Sequence, residues 1–236
     1  MAEIDAEHWW FAARRRIVSA LIARQVPLGP DARILEVGAG TGSNFAMLRV
    51  FGRVEAIEPD ASARSLASRR GGFTVAGGLL PYGVDLPDRR YDLIVLLDVL
   101  EHIADDAASL RVLRGKLAPG GRIVLTVPAA PWLWSAHDVA HHHKRRYTAR
   151  TLRAVLRAGG FRVRHLSHFN TLLYPLVALA RIAHRLTGKQ DGDDTMPPAP
   201  ANWALEHIFA AERYWVTRAS LPFGVSLLAV VEPTAA

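Results

Sequence analysis

The sequence predicts an α/β fold, a doubly wound and mostly parallel sheet with helices on both faces. Short apolar segments alternate with helical segments along most of the 236 residues. The first apolar segment ends in a glycine cluster, and a later helical segment ends at Pro119-Gly120-Gly121, a strong stop signal. Parallel strands need crossovers of the length that these helices supply, so the alternation favours parallel pairing.

The expected elements follow one another in a regular order. An apolar stripe at helical spacing predicts an opening helix within residues 1–30, before the breaker at 27–30. Seven strands are then expected, at 33–37, 54–58, 73–76, 91–97, 122–127, 161–166 and 224–231, the last at the sheet edge. Further helices are expected at about 43–51, 61–70, 103–117, 148–156, 172–186 and 202–218. Residues 188–201 lack apolar periodicity and are predicted to be a mobile linker.

Composition excludes several classes of function. The chain has no cysteine, which excludes disulfide scaffolds, thiolate metal sites and cysteine nucleophiles. The formal charge of +7 comes from arginines spread along the chain, a pattern that does not indicate nucleic-acid binding. The apolar stretch 172–180 is too short to span a bilayer, so no integral membrane association is expected, and peripheral attachment through 172–186 stays a hypothesis. The acidic start lacks a leader pattern and predicts a cytoplasmic protein.

The most informative segment is the glycine loop, residues 38–42, which follows the first predicted strand. Its alternate glycines, Gly38, Gly40 and Gly42, allow a sharp turn and a close approach of the backbone to a ligand. In an open α/β sheet, ligands bind beyond the carboxyl ends of the strands. Glu58 ends the second strand, where a carboxylate would accept both ribose hydroxyls of a nucleoside. The loop therefore predicts a nucleoside cofactor at this edge of the sheet.

Two cofactor classes use such a loop, and its spacing separates them. The dinucleotide pattern G-x-G-x-x-G requires a glycine at position 43, where this chain has Ser43. Glu36, inside the first strand, is unfavourable beside a pyrophosphate but suits a cationic amino-acid sulfonium. The residues favour S-adenosylmethionine over NAD, with a tight turn that binds no ligand as the structural alternative.

Four motifs together resemble those of class I S-adenosylmethionine-dependent methyltransferases of the small-molecule type, similar to types 11 and 12. They are the glycine loop with Glu36, the pair Glu58-Pro59, the segment 91–103 and the segment 117–121. All lie within residues 34–128, in the family's order and spacing. The resemblance implies a Rossmann-like seven-stranded sheet, S-adenosylmethionine as the cofactor, and an N-terminal helical lid, 1–30, over a methyltransferase domain, 31–236.

The resemblance also implies roles for individual residues. Gly38 and Gly40 would pass under the methionine and ribose parts of the cofactor, Glu36 would lie near its amino-acid end, and Glu58 would bind the ribose diol. Many relatives have an acidic residue at the adenine site, and residues 76–79 have none, so a backbone or water contact is expected there. The remaining cofactor contacts are assigned to Pro59, Gly78, Leu79, Leu97 and Asp98.

The acceptor is expected to bind beside segments 129–150 and 168–220. Segment 135–148 resembles a subgroup of these methyltransferases with Asp, His and Arg-Arg-Tyr before the next helix, which marks the motif positions His143, Arg145, Arg146 and Tyr147. Arg146 and Tyr147 have an equally strong structural interpretation, as ties between this loop and the sheet. The candidate acceptor contacts are Trp10, Tyr82, Trp132, Arg146 and Tyr147. Core packing is the simpler explanation for the aromatic residues of the first helix, Trp10 included.

Histidines supply the candidate proton acceptors for catalysis. A base is needed only if the acceptor carries a proton that must leave early. His102, His137 and His143 are the candidates because imidazole titrates near neutral pH, although capping or packing is the more ordinary role for His102. A metal site built from His137, Asp138 and the histidines at 141–143 is not expected, because three consecutive histidines cannot all face one ion.

Together these features predict a monomeric or homodimeric enzyme of secondary or cofactor metabolism. It is expected to transfer a methyl group from S-adenosylmethionine to a small apolar or aromatic acceptor, by O-methylation, with N- or C-methylation as rivals. A non-catalytic S-adenosylmethionine-binding module is the alternative from another class, and a closed acceptor pocket would indicate it. An NAD-dependent oxidoreductase is disfavoured by Ser43 and Glu36.

Overall fold

The computed structural model describes residues 7–187 and 196–234, and it has one sheet flanked by helices. The six strands are β1 (Arg33–Val37), β2 (Arg53–Ile57), β3 (Tyr91–Leu97), β4 (Leu117–Pro128), β5 (Phe161–Phe169) and β6 (Ser226–Pro233). The α-helices are α1 (Trp9–Gln25), α2 (Phe45–Leu48), α3 (Ala61–Gly71), α4 (Asp106–Lys116), α5 (Ala136–Ala140), α6 (Ala149–Ala158), α7 (Tyr174–Thr187), α8 (Ala199–Ala211) and α9 (Arg213–Val216). Short 3₁₀ turns cover Leu100–His102 and Pro131–Leu133.

The sheet has the order β2-β1-β3-β4-β6-β5, and its first four strands run parallel. The predicted doubly wound, mostly parallel α/β fold is therefore confirmed. Strand β6 is antiparallel to both of its neighbours, β4 and β5. Parallel pairing brings the carboxyl ends of β1, β2, β3 and β4 to one edge of the sheet, which positions the functional site.

The prediction of seven strands was wrong, because the described residues form six. Segment 73–76 forms only a single bridge between Ile57 and Ala76, because glycine pairs bound it on both sides and only Val75 is buried. The predicted edge position of the last strand was also wrong. Residues 226–231 are all buried, as suits a strand with neighbours on both sides, whereas β5 alternates buried and exposed positions at the edge.

Several helix boundaries differ from those predicted. The helix expected at 43–51 is the single turn α2, and the one expected at 202–218 is divided into α8 and α9. Helix α4 begins only at Asp106, because the Asp105 side chain caps it by accepting from the backbone N–H of Ala108 at 2.9 Å. Most of the predicted linker 188–201 lies outside the described residues, and its last three residues open α8.

Helices cover both faces of the sheet and complete its core. On one face, α4 and α6 bury leucines such as Leu110 and Leu152. On the other, α1 buries Ile17 and Leu21 together with Phe209 of α8. Fully burying such side chains stabilises the fold by roughly 1.5–3 kcal/mol each. Among residues 7–187 and 196–234, the helices all lack the length or the hydropathy to cross a bilayer.

Candidate active site

One cavity of about 610 Å³ opens at the carboxyl edge of the parallel strands. The glycine loop after β1 and residues 97–98 at the end of β3 form its floor. The start of α1 and the loop that follows α5 form two of its walls. Ligands of open α/β sheets bind at this edge. The cavity therefore lies where the sequence predicts a cofactor.

The glycine loop adopts the left-handed backbone that its sequence requires. Gly38 has φ +69° and Gly40 has φ +53°, and a Cβ atom on Gly40 would have no atom within 4 Å. The N–H of Gly40 donates to Glu58 Oε2 at 2.7 Å, and the N–H of Asp60 donates to Glu58 Oε1 at 2.9 Å. The carboxylate at the end of β2 is thus held against the loop by two backbone donors.

Glu36 lies beneath this loop and is almost completely buried. Its Oε1 accepts from the Asn44 amide at 2.7 Å, while Glu36 Oε2 and Asn44 Oδ1 have no hydrogen-bond partner in the described part of the chain. Burial raises the pKa of Glu36 to about 7, and the Asn44 hydrogen bond and the Arg14 charge only partly oppose this. Buried oxygens without partners at the cavity floor suit a ligand that brings hydrogen-bond donors.

An ion pair connects α1 to the end of β3. The guanidinium of Arg14 donates to Asp98 Oδ2. Asp98 has φ +57°, and its Oδ1 accepts from the Thr126 hydroxyl at 2.9 Å. The start of α1 is therefore fixed to the floor of the cavity by a side chain that is 6% exposed.

The loop that follows α5 is organised around the buried carboxylate of Asp138. Its Oδ1 accepts from His143 Nδ1 at 2.9 Å and from Arg146 Nε at 2.7 Å, and its Oδ2 accepts from the Ser135 N–H at 2.9 Å. Burial opposes the charge, but these hydrogen bonds prevail and lower the pKa of Asp138. The carboxylate is therefore ionised and only accepts, so His143 Nδ1 carries the proton in this contact.

Arg145 and Tyr147 attach the same loop to the start of α4 and, through the Tyr147 backbone, to β4. Both donate to Asp106 Oδ2 at 2.8 Å, and the Tyr147 N–H donates to the Pro128 carbonyl at 2.9 Å. Tyr147 is 1% exposed and does not line the cavity, so its position gives no support to the acceptor contact predicted for it. The structural interpretation of the Arg-Arg-Tyr motif accounts for Tyr147, whereas Arg146 both binds Asp138 and lines the cavity.

A cluster of imidazole rings lines the same cavity as the glycine loop. The rings of His102 and His143 are 4.7 Å apart between centroids, and His137 and His141 lie 4.3 Å apart beside them. Burial lowers the pKa of His102 to about 4, and the nearby His143 contributes in the same direction. Next to His102 lies Glu101, whose pKa is raised well above its usual range by burial and by the Asp98 charge.

The cavity brings together nine of the residues that the sequence singles out. The cofactor candidates among them are Gly38, Gly40, Leu97 and Asp98. The acceptor and catalytic candidates among them are Trp10, His102, His137, His143 and Arg146. These nine predictions share one site, although the residues come from distant parts of the chain.

Other predicted site residues lie outside the cavity lining. Glu36 and Glu58 lie directly behind it and contact its lining residues Asn44 and Gly40. The remaining ones are in the loop after β2, in the segment between α3 and β3, after β4, and in the loop before α6: Pro59, Gly78, Leu79, Tyr82, Trp132 and Tyr147. Leu79 is 66% exposed and Tyr82 is 89% exposed, because the turn that holds them projects from the sheet edge. Trp132 packs its ring edge to face against Tyr174.

Some cavity residues were not singled out from the sequence. They are Arg14, Asn44, Glu101 and Asn170. Glu101 lies beside His102 within a recognised motif, so that motif was the available signal for it. The others have no local pattern, because only the folded chain brings them to the strand ends.

The fold and the strand-end cavity define an α/β protein that binds a nucleoside cofactor. The family described as "Methyltransferase domain" matches residues 10–166, well over half of the chain. The chain therefore belongs to this family, the class I S-adenosylmethionine-dependent methyltransferases. Membership also removes the NAD-dependent oxidoreductase from consideration.

Individual relatives agree with this assignment. The chain is 34% identical over 117 residues to a trans-aconitate 2-methyltransferase of Methylobacterium radiotolerans, a match that covers 49% of this chain and 45% of that protein. In fold, it is similar to a chain of the complex between the Haloferax volcanii Trm112 methyltransferase activator and a methyltransferase, with TM-score 0.64, 17% identity and coverage of 99% and 93%. It is also similar to the geranyl diphosphate C-methyltransferase of Streptomyces coelicolor, with TM-score 0.60, 14% identity and coverage of 92% and 76%.

The residues present fit the cofactor of this family, S-adenosylmethionine. The open space at Gly40 leaves room for a ligand against the backbone. Glu36 and Asn44 offer buried acceptor oxygens for an ammonium group, and Glu58 offers a carboxylate at the position suited to ribose hydroxyls. These groups are carboxylate and amide oxygens, which suit a nucleoside that carries a positive charge.

Proposed function

We propose that this protein transfers a methyl group from S-adenosylmethionine to a small-molecule acceptor. One observation carries the proposal: a single cavity joins the glycine loop at Gly38 and Gly40 to the aromatic start of α1 and to the histidine cluster. A volume of about 610 Å³ is of the size that small-molecule sites have. An acceptor site that is open to the cofactor end favours turnover over the alternative of a non-catalytic binding module.

Residues on the cofactor side would hold the cofactor. Glu36 and Asn44 would bind its amino-acid end, Glu58 its ribose, and Asp98 would face its methionine end. Pro59, Gly78 and Leu79 stay proposals for the adenine side, at the rim outside the cavity. When bound, the cofactor supplies an electrophilic methyl group on a sulfonium. The chain's own tasks are then to hold the acceptor in line and to exclude water.

Residues on the opposite side would hold the acceptor. Trp10 supplies an apolar surface, and Arg146 and Asn170 supply polar groups at the same cavity. We propose that segments 129–150 and 168–220 form this side, with residues 1–30 as its lid. For an acceptor hydroxyl, His102, His137 and His143 are the candidate groups to receive its proton. O-methylation is therefore our first choice, with N- and C-methylation as rivals.

Cofactor binding is the first test of this proposal. Calorimetric titration with S-adenosylmethionine and with S-adenosylhomocysteine is expected to give micromolar binding, and NAD serves as the control ligand. Glu58→Ala should abolish the ribose contact and weaken both nucleosides. Absence of binding, or a preference for NAD, would overturn the proposal.

The class of acceptor is tested separately. Labelled methyl groups from S-adenosylmethionine are followed into the small-molecule and the macromolecular fractions of a cell extract incubated with the protein. Label in organic-soluble small molecules is the expected result. Label confined to protein or nucleic acid would contradict the small-molecule acceptor while leaving the cofactor assignment intact. Membership of secondary metabolism, a cytoplasmic location and a monomer or homodimer remain predictions.

A further inference from the structure

Three side chains suited to metal binding converge on the acceptor side of the cavity. Glu101, His102 and His143 each offer one ligand atom, and these atoms lie within 4.8 Å of one another. Glu101 and His102 belong to the 3₁₀ turn after β3, and His143 belongs to the loop after α5. The N–H of Lys144 donates to the Glu101 carbonyl at 2.8 Å and holds the loop against that turn. His143 is the one member of the histidine run 141–143 that takes part in this cluster. The objection that three consecutive histidines cannot all face one ion therefore does not apply to it.

His143 is oriented in the way that metal-binding histidines are. Its Nδ1–H donates to Asp138, whose carboxylate is in turn fixed by Arg146 and by the Ser135 backbone. In the neutral imidazole the lone pair is then on Nε2, which lies 4.0 Å from Glu101 Oε1. A carboxylate that binds the far nitrogen of a ligating histidine is the usual outer-shell arrangement.

Glu101 has a buried carboxyl group without a hydrogen-bond partner in the described part of the chain. Its side chain is 0% exposed, and neither oxygen has a hydrogen-bond partner among the residues that the structure describes. Such a group is costly to bury unless a cation or a proton compensates its charge. Glu101 and the two histidines are all lining residues of the cavity, which gives a cation a route to this cluster.

The spacing of the ligand atoms is close to that around a bound ion. Two ligands about 2.1 Å from one tetrahedral ion lie about 3.4 Å apart. The distance of 4.0 Å between His143 Nε2 and Glu101 Oε1 would shorten by about 0.6 Å on binding an ion, and no pair of ligand atoms, all within 4.8 Å of one another, would shorten by more than about 1.4 Å. His102 is also oriented, because its ring hydrogen-bonds to the His141 backbone.

We propose that Glu101, His102 and His143 bind one divalent transition-metal ion, with Zn²⁺ as the natural occupant of this ligand set. Two imidazoles and one carboxylate form a set typical of Zn²⁺ sites that keep an open position. That position faces the cavity and takes an oxygen or nitrogen atom of the acceptor. The ion lowers the pKa of a coordinated hydroxyl, and His137 is then the histidine left to receive its proton.

The role given to the ion in binding the acceptor rests on the proposed function, whereas metal binding itself does not and is tested without cofactor or acceptor. The protein is prepared without a histidine tag, treated with chelator and titrated with Co²⁺, with visible absorption as the readout. Zn²⁺ is then titrated by calorimetry and by displacement of Co²⁺. We expect one ion per chain, ligand-field bands of low-coordinate Co²⁺, and complete displacement by Zn²⁺.

Variants separate this site from adventitious binding by the other histidines. Glu101→Gln and His143→Asn should each weaken the Zn²⁺ affinity by about 100-fold or more, and Asp138→Asn by about 10- to 100-fold through loss of orientation. His142→Asn is the matched control, because His142 is exposed, lies in the same loop, and has the positive φ that Asn tolerates. It should leave the affinity unchanged.

Two results would overturn the proposal. One is a metal-free protein that binds neither Co²⁺ nor Zn²⁺, in which case a proton compensates Glu101. The other is a Zn²⁺ affinity that is the same in Glu101→Gln and His143→Asn as in the wild type. Should one variant fail to fold by circular dichroism, the other provides the same test. Zn²⁺ should also raise the Tm of the wild type and of His142→Asn, but not that of the two ligand variants.

Discussion

The two sides of the cavity are built in different ways. The cofactor side consists of residues at the ends of strands β1, β2 and β3, held by contacts between neighbouring strand ends such as that between Gly40 and Glu58. The acceptor side gathers residues from α1, from the turn after β3 and from the loop after α5. A site built from strand ends is encoded locally, whereas a site built across the fold depends on packing. The four predictions below test that contrast, starting with the largest expected effect.

The first prediction concerns Glu36 on the cofactor side. Its pKa of about 7 in the folded state exceeds the 4.5 of an exposed glutamate, so the folded protein binds more protons between these pH values. The stability that this group contributes is complete below about pH 4.5 and is lost as pH rises through 7. Relative to Glu36→Gln, the wild type should lose about 3 kcal/mol of unfolding free energy between pH 4.5 and 8, measured by urea denaturation.

Glu55→Gln is the control for this pH dependence. Glu55 lies on β2 and is much more exposed; burial opposes its charge, but hydrogen bonds from Arg90 and Tyr91 lower its pKa. Its stabilising contribution is therefore present at neutral pH and is lost as pH falls, the opposite sign to Glu36. If the free energy of unfolding changed with pH in the same way in Glu36→Gln and Glu55→Gln, that result would contradict the buried state of Glu36.

The second prediction breaks the cofactor side alone. Gly40→Val would place a branched side chain at φ +53° and direct it into the open space of the cavity. The S-adenosylmethionine affinity should fall by at least about 100-fold, or roughly 2.7 kcal/mol, in calorimetry. The Co²⁺ spectrum of the acceptor side should persist.

Gly29→Val is the matched control for the glycine loop. Gly29 is exposed, has no atom within 4 Å of a Cβ, and does not have a positive φ. Its replacement should leave cofactor affinity unchanged. Normal cofactor binding by Gly40→Val would show that the glycine loop does not form the cofactor site.

The third prediction tests the support of the acceptor side. Tyr147→Phe removes the buried hydrogen bond to Asp106 and should lower the unfolding free energy by about 1–2 kcal/mol. Cofactor affinity should not change, since Tyr147 does not line the cavity. Tyr214→Phe, at a residue that is 54% exposed, is the control for loss of a hydroxyl in urea denaturation. A change in acceptor KM without a change in stability would assign Tyr147 a binding role instead.

The smallest effect is predicted for Tyr82. Because this side chain is 89% exposed and lies outside the cavity, Tyr82→Ala should change stability and cofactor affinity by no more than about 0.5 kcal/mol. Thermal unfolding and calorimetry measure both quantities. A larger loss of affinity would mean that the turn around Tyr82 closes over the ligand.

The same contrast explains what the sequence could predict. Strand β3 has the bounds predicted for it, and the glycine loop lies where expected, because apolar runs and alternate glycines are local signals. The position of β6 between β4 and β5 was missed, because pairing partners are chosen by burial across the whole sheet. Arg14 and Asn170 were missed for a similar reason, since only packing brings them to the strand ends. The acceptor contact predicted for Tyr147 has no support from its buried position, because a motif does not reveal which way a side chain points.

The position of β6 between β4 and β5 has a consequence for folding during synthesis. Strands β4 and β5 are synthesised well before residues 226–233. Strand β6, formed by those residues, is the strand that joins β5 to β4. While the chain is still on the ribosome, each of them has an open edge, and such edges promote aggregation. A ribosome-stalled chain that ends before residue 226 should therefore need chaperone protection, and a chain stalled far enough beyond residue 233 to expose β6 should complete these pairings.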